Sequence, residues 1–368
     1  MTYRFALLLV LLFTAHRASA QSKPPSLWYF PTANQWETVS HEVAGADREQ
    51  LERALQYAGE KNSKGVVVLW RGRLLAERYW DGCTQTTRHP AYSASKSLVS
   101  TLVGMAIEEK KIAGTGQSAA VFLREWQGKP KYEAITIGHM LSMTSGLEGG
   151  KRNFLRGALS RDERAFATSL PLQFTPGTHW EYQNSAYRLF FSLLPAATGE
   201  SLPKYTTRKL LDPLDMKHTQ WQTKRLSRDQ YTFLSTTPRD AARFGLLILA
   251  GGNWNGQQLI NRKWLQRATT AANPRVNPSY GYLWWLNGGD RHYLPLHPVA
   301  RRGPIFPGCP ADAFAALGKD DQKIYVVPSL QIVVTRFGDA ADSTSPAISQ
   351  FDAKFLGKIC DSFKSVSR

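Results

Sequence analysis

Cysteine is scarce in this chain: Cys83, Cys309 and Cys360 are the only three, and neither a Cys-x-x-Cys nor a His-x-x-x-His spacing occurs. Nothing therefore suggests a metal site, and an odd number of thiols allows at most one internal disulfide, whose pairing the sequence leaves open. A Gly-x-Ser-x-Gly elbow is also missing, which leaves an α/β-hydrolase reading without a nucleophile. No Gly, Ser or Pro stretch is long enough to be a linker, and no repeat at solenoid period is apparent. Acidic residues are few, 29 against 46 Lys and Arg, giving a formal charge of +17. The basic residues are dispersed and no reader module accompanies them, so nucleic acid is not an expected partner. Such a charge favours adhesion to anionic polymers of a cell envelope, such as wall or lipopolysaccharide; solubility with a compositional bias is the plainer reading and is preferred.

Long apolar runs are absent too. The longest, Phe5 to Phe13, is too short to span a bilayer as a helix. It follows Arg4 and precedes Ala18-Ser19-Ala20, the layout of a secretory signal peptide cleaved after Ala20. Without a cysteine at that point a lipoprotein is disfavoured. The expectation is an exported protein, periplasmic or secreted, with residues 21–368 forming one domain and keeping a charge of about +15 once Arg4 and Arg17 are removed.

Periodicity places a helix over Asp47 to Ala58, where Leu51, Ala54, Leu55 and Ala58 recur, then a hairpin of Val66–Trp70 and Leu74–Trp80 turned at Arg71-Gly72-Arg73. Helix-like text broken by Pro and Gly continues to about Thr236, including a segment over Ser185 to Ala197. Strands return at Tyr280–Leu286, Ala313–Leu317, Lys323–Val327 and Leu330–Arg336, and a helix over Ile348 to Phe363 closes the chain. Strands at both ends with helices between them read as α+β. The α/β part takes about 21–115 and 236–368, and a helical insertion takes about 116–235.

The chemistry concentrates at Ser93-Ala94-Ser95-Lys96, just ahead of the apolar-periodic Leu98, Leu102, Met105 and Ala106. Three residues apart on a helix, Ser93 and Lys96 share a face within hydrogen-bonding reach. A desolvated lysine can then help remove the serine proton. A second copy, Ser201-Leu202-Pro203-Lys204, carries a proline that makes a helix interior an unsuitable home. What singles out Ser93 is Tyr182-Gln183-Asn184, the sole Tyr-x-Asn, within Phe174-Thr175-Pro176-Gly177-Thr178-His179-Trp180-Glu181-Tyr182.

With these residues the chain resembles serine hydrolases of the class C β-lactamase type, a family that includes penicillin-binding esterases and 6-aminohexanoate-oligomer hydrolases. Thr136 to Leu147, Asp212 to Met216, Arg239 to Leu247 and Gly256 to Ile260 follow in the order that family uses them, and the likeness runs from about Gly65 to Phe337. It implies a β-lactamase/DD-peptidase-like fold: an antiparallel sheet built from both ends of the chain, an inserted helical region, and a site in the cleft between. It also implies roles. Ser93 is the nucleophile; Tyr182, held near Lys96, shares a proton with the serine in acylation, passes it to the leaving group and activates the deacylating water; Asn184 orients Lys96 and holds a substrate carbonyl.

The third element of the family reads Lys-Thr-Gly, and its counterpart here is Ala316-Leu317-Gly318 followed by Lys319. The resemblance implies an oxyanion hole made by the amides of Ser93 and Lys319, with Gly318 permitting close approach. Ala316 cannot supply the carboxylate-binding lysine; Lys319, Arg301 or Arg302 are the substitutes to consider. Trp180, Tyr280, Tyr282, Trp284 and Trp285 are candidates for an acyl pocket or for core, while His292 and His297 read as loop residues. The expected activity is hydrolysis of small esters or amides through a Ser93 acyl-enzyme, without cofactor, metal or partner protein. The alternatives are an envelope β-lactamase or D-stereospecific peptidase, and a catalytically idle wall-binding protein.

Overall fold

Val66-Val67-Val68-Leu69 is completely buried, although the alternation of a strand lets one packed layer hide only every second residue. Burial on both sides demands a layer on each face of the sheet. The computed structural model, which describes residues 27–364 except 225–226, 298 and 343–347, has those layers. The expected signal segment, 1–20, lies outside the described residues.

Helix α1 (Arg48–Glu60) starts where the Asp47 side chain accepts from the Gln50 N–H at 3.0 Å, and it buries Leu51, Ala54, Leu55 and Ala58. Strands β1 (Ser63–Trp70) and β2 (Arg73–Tyr79) follow, joined by Arg71 (φ 50°) and Gly72 (φ 87°). Two left-handed residues suit the twist of a tight hairpin. At Gly72 a Cβ would collide with the Tyr29 carbonyl, so glycine is required there.

Then come α2 (Ser95–Glu108), α3 (Gly150–Leu159), α4 (Asn184–Arg188) and α5 (Pro238–Leu249). Strands β3 (Trp285–Leu286), β4 (Phe314–Gly318), β5 (Gln322–Val327) and β6 (Ile332–Gly338) return, and α6 (Gln350–Ser362) ends the fold. The six strands form one antiparallel sheet in the order β2-β1-β6-β5-β4-β3. The first hairpin thus pairs with the last strand, Val67 opposite Thr335. Val66 and Val68 pack toward α1 and α6, while Val67, Leu69 and Val333 pack against Ala242 and Leu246 of α5. Each such residue, fully buried, contributes about 1.5–3 kcal/mol.

Three expectations need correction. The strand over Tyr280–Leu286 shrinks to Trp285–Leu286, because Leu283 (φ 60°) folds the segment into a turn closed by a Tyr280–Trp285 bridge. Region 116–235 is not all helix: Gln220–Lys224 and Ser227–Thr236 form a small sheet with His89–Pro90. The helix expected over Ser185–Ala197 breaks at Leu189 into α4 and a second piece, Phe190–Thr198. Ser201 of the second Ser-x-x-Lys copy is a helix cap, its side chain accepting from the Lys204 N–H at 3.4 Å.

Candidate active site

The nucleophile turn begins with strain. Tyr92 adopts φ 45°, a left-handed conformation that costs a non-glycine residue about 1–2 kcal/mol. It swings the chain into a short 3₁₀ turn, Tyr92–Ala94, that sets Ser93 at the head of α2. Lys96, one turn on and buried, brings Nζ to 2.9 Å from Ser93 Oγ. The neighbouring serines are committed elsewhere: Ser95 Oγ accepts from the Leu234 N–H at 2.9 Å, and Ser97 Oγ donates to the Leu283 carbonyl at 2.7 Å. Ser93 alone of the three lines the adjoining cavity of about 280 Å³.

Tyr182 reaches the same spot from the inserted region. Met143 (φ 59°) pins the segment on both sides of it, taking the Glu181 N–H on its carbonyl at 3.0 Å and the Gln183 N–H on its sulfur at 3.3 Å. Trp285 stacks on the Tyr182 ring at 5.7 Å, and Trp180 and Tyr280 pack behind. The Tyr182 hydroxyl is close enough to the Ser93 side chain for that serine to favour its ionised form. Lys96 Nζ lies 5.0 Å from the Tyr182 ring centre and 4.4 Å from that of Tyr187.

Burial, and then the positive charge of Arg188, hold Lys96 well below the ordinary lysine range, toward its neutral form. For Tyr182 burial acts in the opposite sense and raises the phenol, a shift that the nearby Ser93 side chain partly offsets. The resting pair is thus a neutral-leaning amine beside a protonated phenol.

Gly318 ends β4 directly against the nucleophile turn, where a Cβ would collide with the Ala91 carbonyl and stand 3.3 Å from the Ala94 nitrogen. Lys319, the next residue, lines the cavity with Ser93; its side chain is 71% exposed, with Nζ 5.7 Å from the Tyr92 ring centre. Asn184 lines the cavity at the start of α4, yet among the described residues its side chain makes no hydrogen bond. The expected orienting bond to Lys96 is therefore not made, because the aromatic faces of Tyr182 and Tyr187 occupy the surroundings of Nζ.

The walls come from residues the sequence did not single out. Phe154 and Phe166 with Phe233 supply apolar surface, and Arg188 Nη1, 3.2 Å from Glu163 and donating to the Tyr231 carbonyl at 2.6 Å, sets an ion pair into the lining. A signal existed for two of them: Tyr187 and Arg188 stand three and four residues after Asn184 on one helix. Trp284 and Tyr282 are buried core, and the aromatic run acts as backing for Tyr182, outside the cavity lining. His292 sits in a two-residue strand, its Nδ1 3.0 Å from the Gly303 carbonyl, while His297 borders a separate pocket. Arg301 and Arg302 form another short, exposed strand, and neither lines the cavity. Among the described residues no three His, Cys, Asp or Glu side chains cluster as metal ligands would.

Comparison with known proteins agrees with this geometry. The profile of the family described as Beta-lactamase matches residues 49–355. An uncharacterized protein of Alkalihalophilus pseudofirmus is 22% identical over 74% of this chain and 82% of its own. The 6-aminohexanoate-dimer hydrolase of Paenarthrobacter ureafaciens is 24% identical over 66% of this chain and 68% of its own. In structure, a putative 6-aminohexanoate-dimer hydrolase from Bacillus anthracis superposes with a TM-score of 0.70 at 18% identity, over 91% of this chain and 89% of that one.

Proposed function

Because this chain belongs to the β-lactamase family, and is a serine hydrolase, we propose that it cleaves small uncharged esters or amides through an acyl-enzyme on Ser93. In this reading Ser93 Oγ attacks the carbonyl carbon while its proton passes to neutral Lys96, 2.9 Å away. The Tyr182 hydroxyl, beside Ser93, relays that proton to the departing alcohol or amine. Water then adds to the acyl–Ser93 ester, giving up its proton through the same pair, and the acid leaves with the serine restored. The amides of Ser93 and Lys319 hold the developing oxyanion, an arrangement supported by the seat of Gly318 against the nucleophile turn. Asn184, with an unengaged side chain at the cavity, is placed to hold the substrate carbonyl or amide.

One observation carries the substrate class. Ala316 shares a face of β4 with Gly318, is completely buried, and brings no charge. The basic side chains that line the cavity are Lys96, held toward its neutral form beside Ser93; Arg188, paired with Glu163; and Lys319, largely in solvent. A substrate carboxylate would find no desolvated, unpaired cation waiting for it. The name of the P. ureafaciens relative keeps amides within the reading beside esters. Export to a periplasm or medium, with access to envelope substrates, completes the proposal and rests on the layout of residues 1–20.

The test pairs two substrates. Burst release of p-nitrophenol from a short-chain p-nitrophenyl ester should be rapid, and nitrocefin hydrolysis slower by orders of magnitude. Comparable rates would move the protein to the β-lactamase alternative. Inactivity on both, with retention on wall fragments, would move it to the binding alternative.

A further inference from the structure

Helix α3 forms part of the cavity wall, and its outer face is unlike that of an ordinary solvated helix. Its inner side is fixed: Asn153 is buried and donates to Glu148 Oε2 at 3.0 Å, and Gly157 packs so closely that a Cβ would stand 3.0 Å from the Phe166 ring and 3.2 Å from Ser185 Oγ of α4. Outward it shows Phe154 (39% exposed), Leu155 (59%) and Leu159 (82%). These are three of the seven large apolar side chains most exposed among the described residues, and they stand within six positions. Between and beside them lie exposed Lys151, Arg152 and Arg156, and no acidic residue occurs in the helix. Among the described residues none of these three cations has an ion-pair partner; Arg156 only bonds Asn153 Oδ1 at 3.4 Å and covers the Phe166 ring.

A solvated surface helix alternates charges of both signs, and a core helix hides its leucines. Leucines interleaved with unpaired cations instead fit the boundary between anionic headgroups and acyl chains. A second copy of the chain is the poorer occupant, since a two-fold contact would set three cations against three. The position matters as much as the composition. Phe154, Gly157 and Ala158 of this helix border the cavity that holds Ser93, so whatever α3 touches faces the cavity mouth. Among the described residues no helix is long and apolar enough to cross a membrane.

We propose that α3 seats the protein on an anionic bilayer surface and presents the Ser93 cavity to esters or amides held there. The seating stands on α3 alone; the substrate class rests on the hydrolase reading above. The experiment uses the full chain carrying Ser93→Ala, sedimented with phosphatidylcholine vesicles made with or without phosphatidylglycerol. It should pellet with the anionic vesicles only. Lys151→Gln/Arg152→Gln should weaken that binding on the order of thirtyfold, and Leu155→Ser/Leu159→Ser should abolish it with the melting temperature unchanged. Neither leucine lines the cavity, so the leucine variant, with Ser93 retained, should cleave a soluble ester at the parental rate but lose any acceleration by anionic vesicles.

Absence of sedimentation, equal sedimentation with both vesicle types, or a solution dimer abolished by the leucine changes would overturn the seating. Binding without acceleration of a vesicle-borne ester would overturn the substrate class. Failure of the hydrolase reading looks different: Ser93→Ala binds anionic vesicles while the parent protein cleaves no ester anywhere.

Discussion

At the scale of single residues the site holds Lys96 in a place that disfavours its charge. Unfolded, this lysine titrates near the free value of about 10.4; folded, burial and Arg188 hold it well below. Between those two values the unfolded chain carries a proton that the native protein lacks, so native stability rises with pH across that window and is lost as the pH falls. Lys96→Met removes the burden. It should lower turnover by a factor on the order of 10³ or more yet melt above the parent near neutrality, with the gap closing as the pH approaches 10. A gap independent of pH would show that Lys96 is charged in the fold. In the parent, kcat/KM should fall on the acid side as the pH drops through the lowered Lys96 value. Tyr182→Phe keeps the stack on Trp285 and deletes only the hydroxyl beside Ser93. We expect a loss of about 10²–10⁴ in kcat/KM with little change in melting temperature. Activity within tenfold of the parent would remove Tyr182 from proton transfer.

Among the elements, the contact of β4 with the nucleophile turn is the one the site cannot do without. Gly318 has φ −121°, a backbone any residue adopts, so its requirement is steric: a Cβ meets the Ala91 carbonyl. Gly318→Ala should therefore push strand and turn apart, cost about 1–3 kcal/mol of stability, and shrink the ester burst; unchanged melting and kinetics would show that the turn yields freely. Much of this level was legible beforehand. The hairpin at Arg71-Gly72, the helix capped by Asp47 and strands β4 to β6 follow from local pattern alone. Elements that draw stability from tertiary contacts did not: Trp285–Leu286 is a strand by virtue of pairing with β4, and the small sheet at Gln220–Lys224 forms only because His89 and Ser227–Thr236 lie beside it. Lys323 is a further case. Within a fully buried strand it sits 2.8 Å from Asp352 of α6 and 3.0 Å from Asp321, an arrangement no local pattern announces.

For the molecule as a whole, the two ends of the chain build one sheet and the insertion brings Tyr182 across to Ser93, a convergence the motifs predicted but local periodicity could not place. The cavity walls were hidden for the same reason: Phe154, Glu163 and Phe233 come from separate segments with no shared spacing. The structure brings one pair of cysteines together among the pairings the sequence left open. The loop holding Cys309 lies along α6, with the Gly308 carbonyl accepting from Lys364 Nζ at 3.0 Å and the Pro307 carbonyl near Gly357, so that Cys309 and Cys360, both free thiols, are neighbours whose interaction raises the Cys360 thiol. Under the proposed export to an oxidising medium, these two should close by losing two protons and two electrons to a thiol–disulfide oxidoreductase, leaving Cys83 free. Non-reducing peptide mapping should find the Cys309–Cys360 link, and alkylation of all three thiols would count against it. The central claim, that acyl transfer runs through Ser93, is tested most directly by labelling the protein with a fluorophosphonate and mapping the adduct by peptide mass spectrometry. The account predicts one stoichiometric adduct on Ser93, lost in Ser93→Ala; an adduct on Ser95, Ser97 or Ser201, or labelling that survives that substitution, would contradict it.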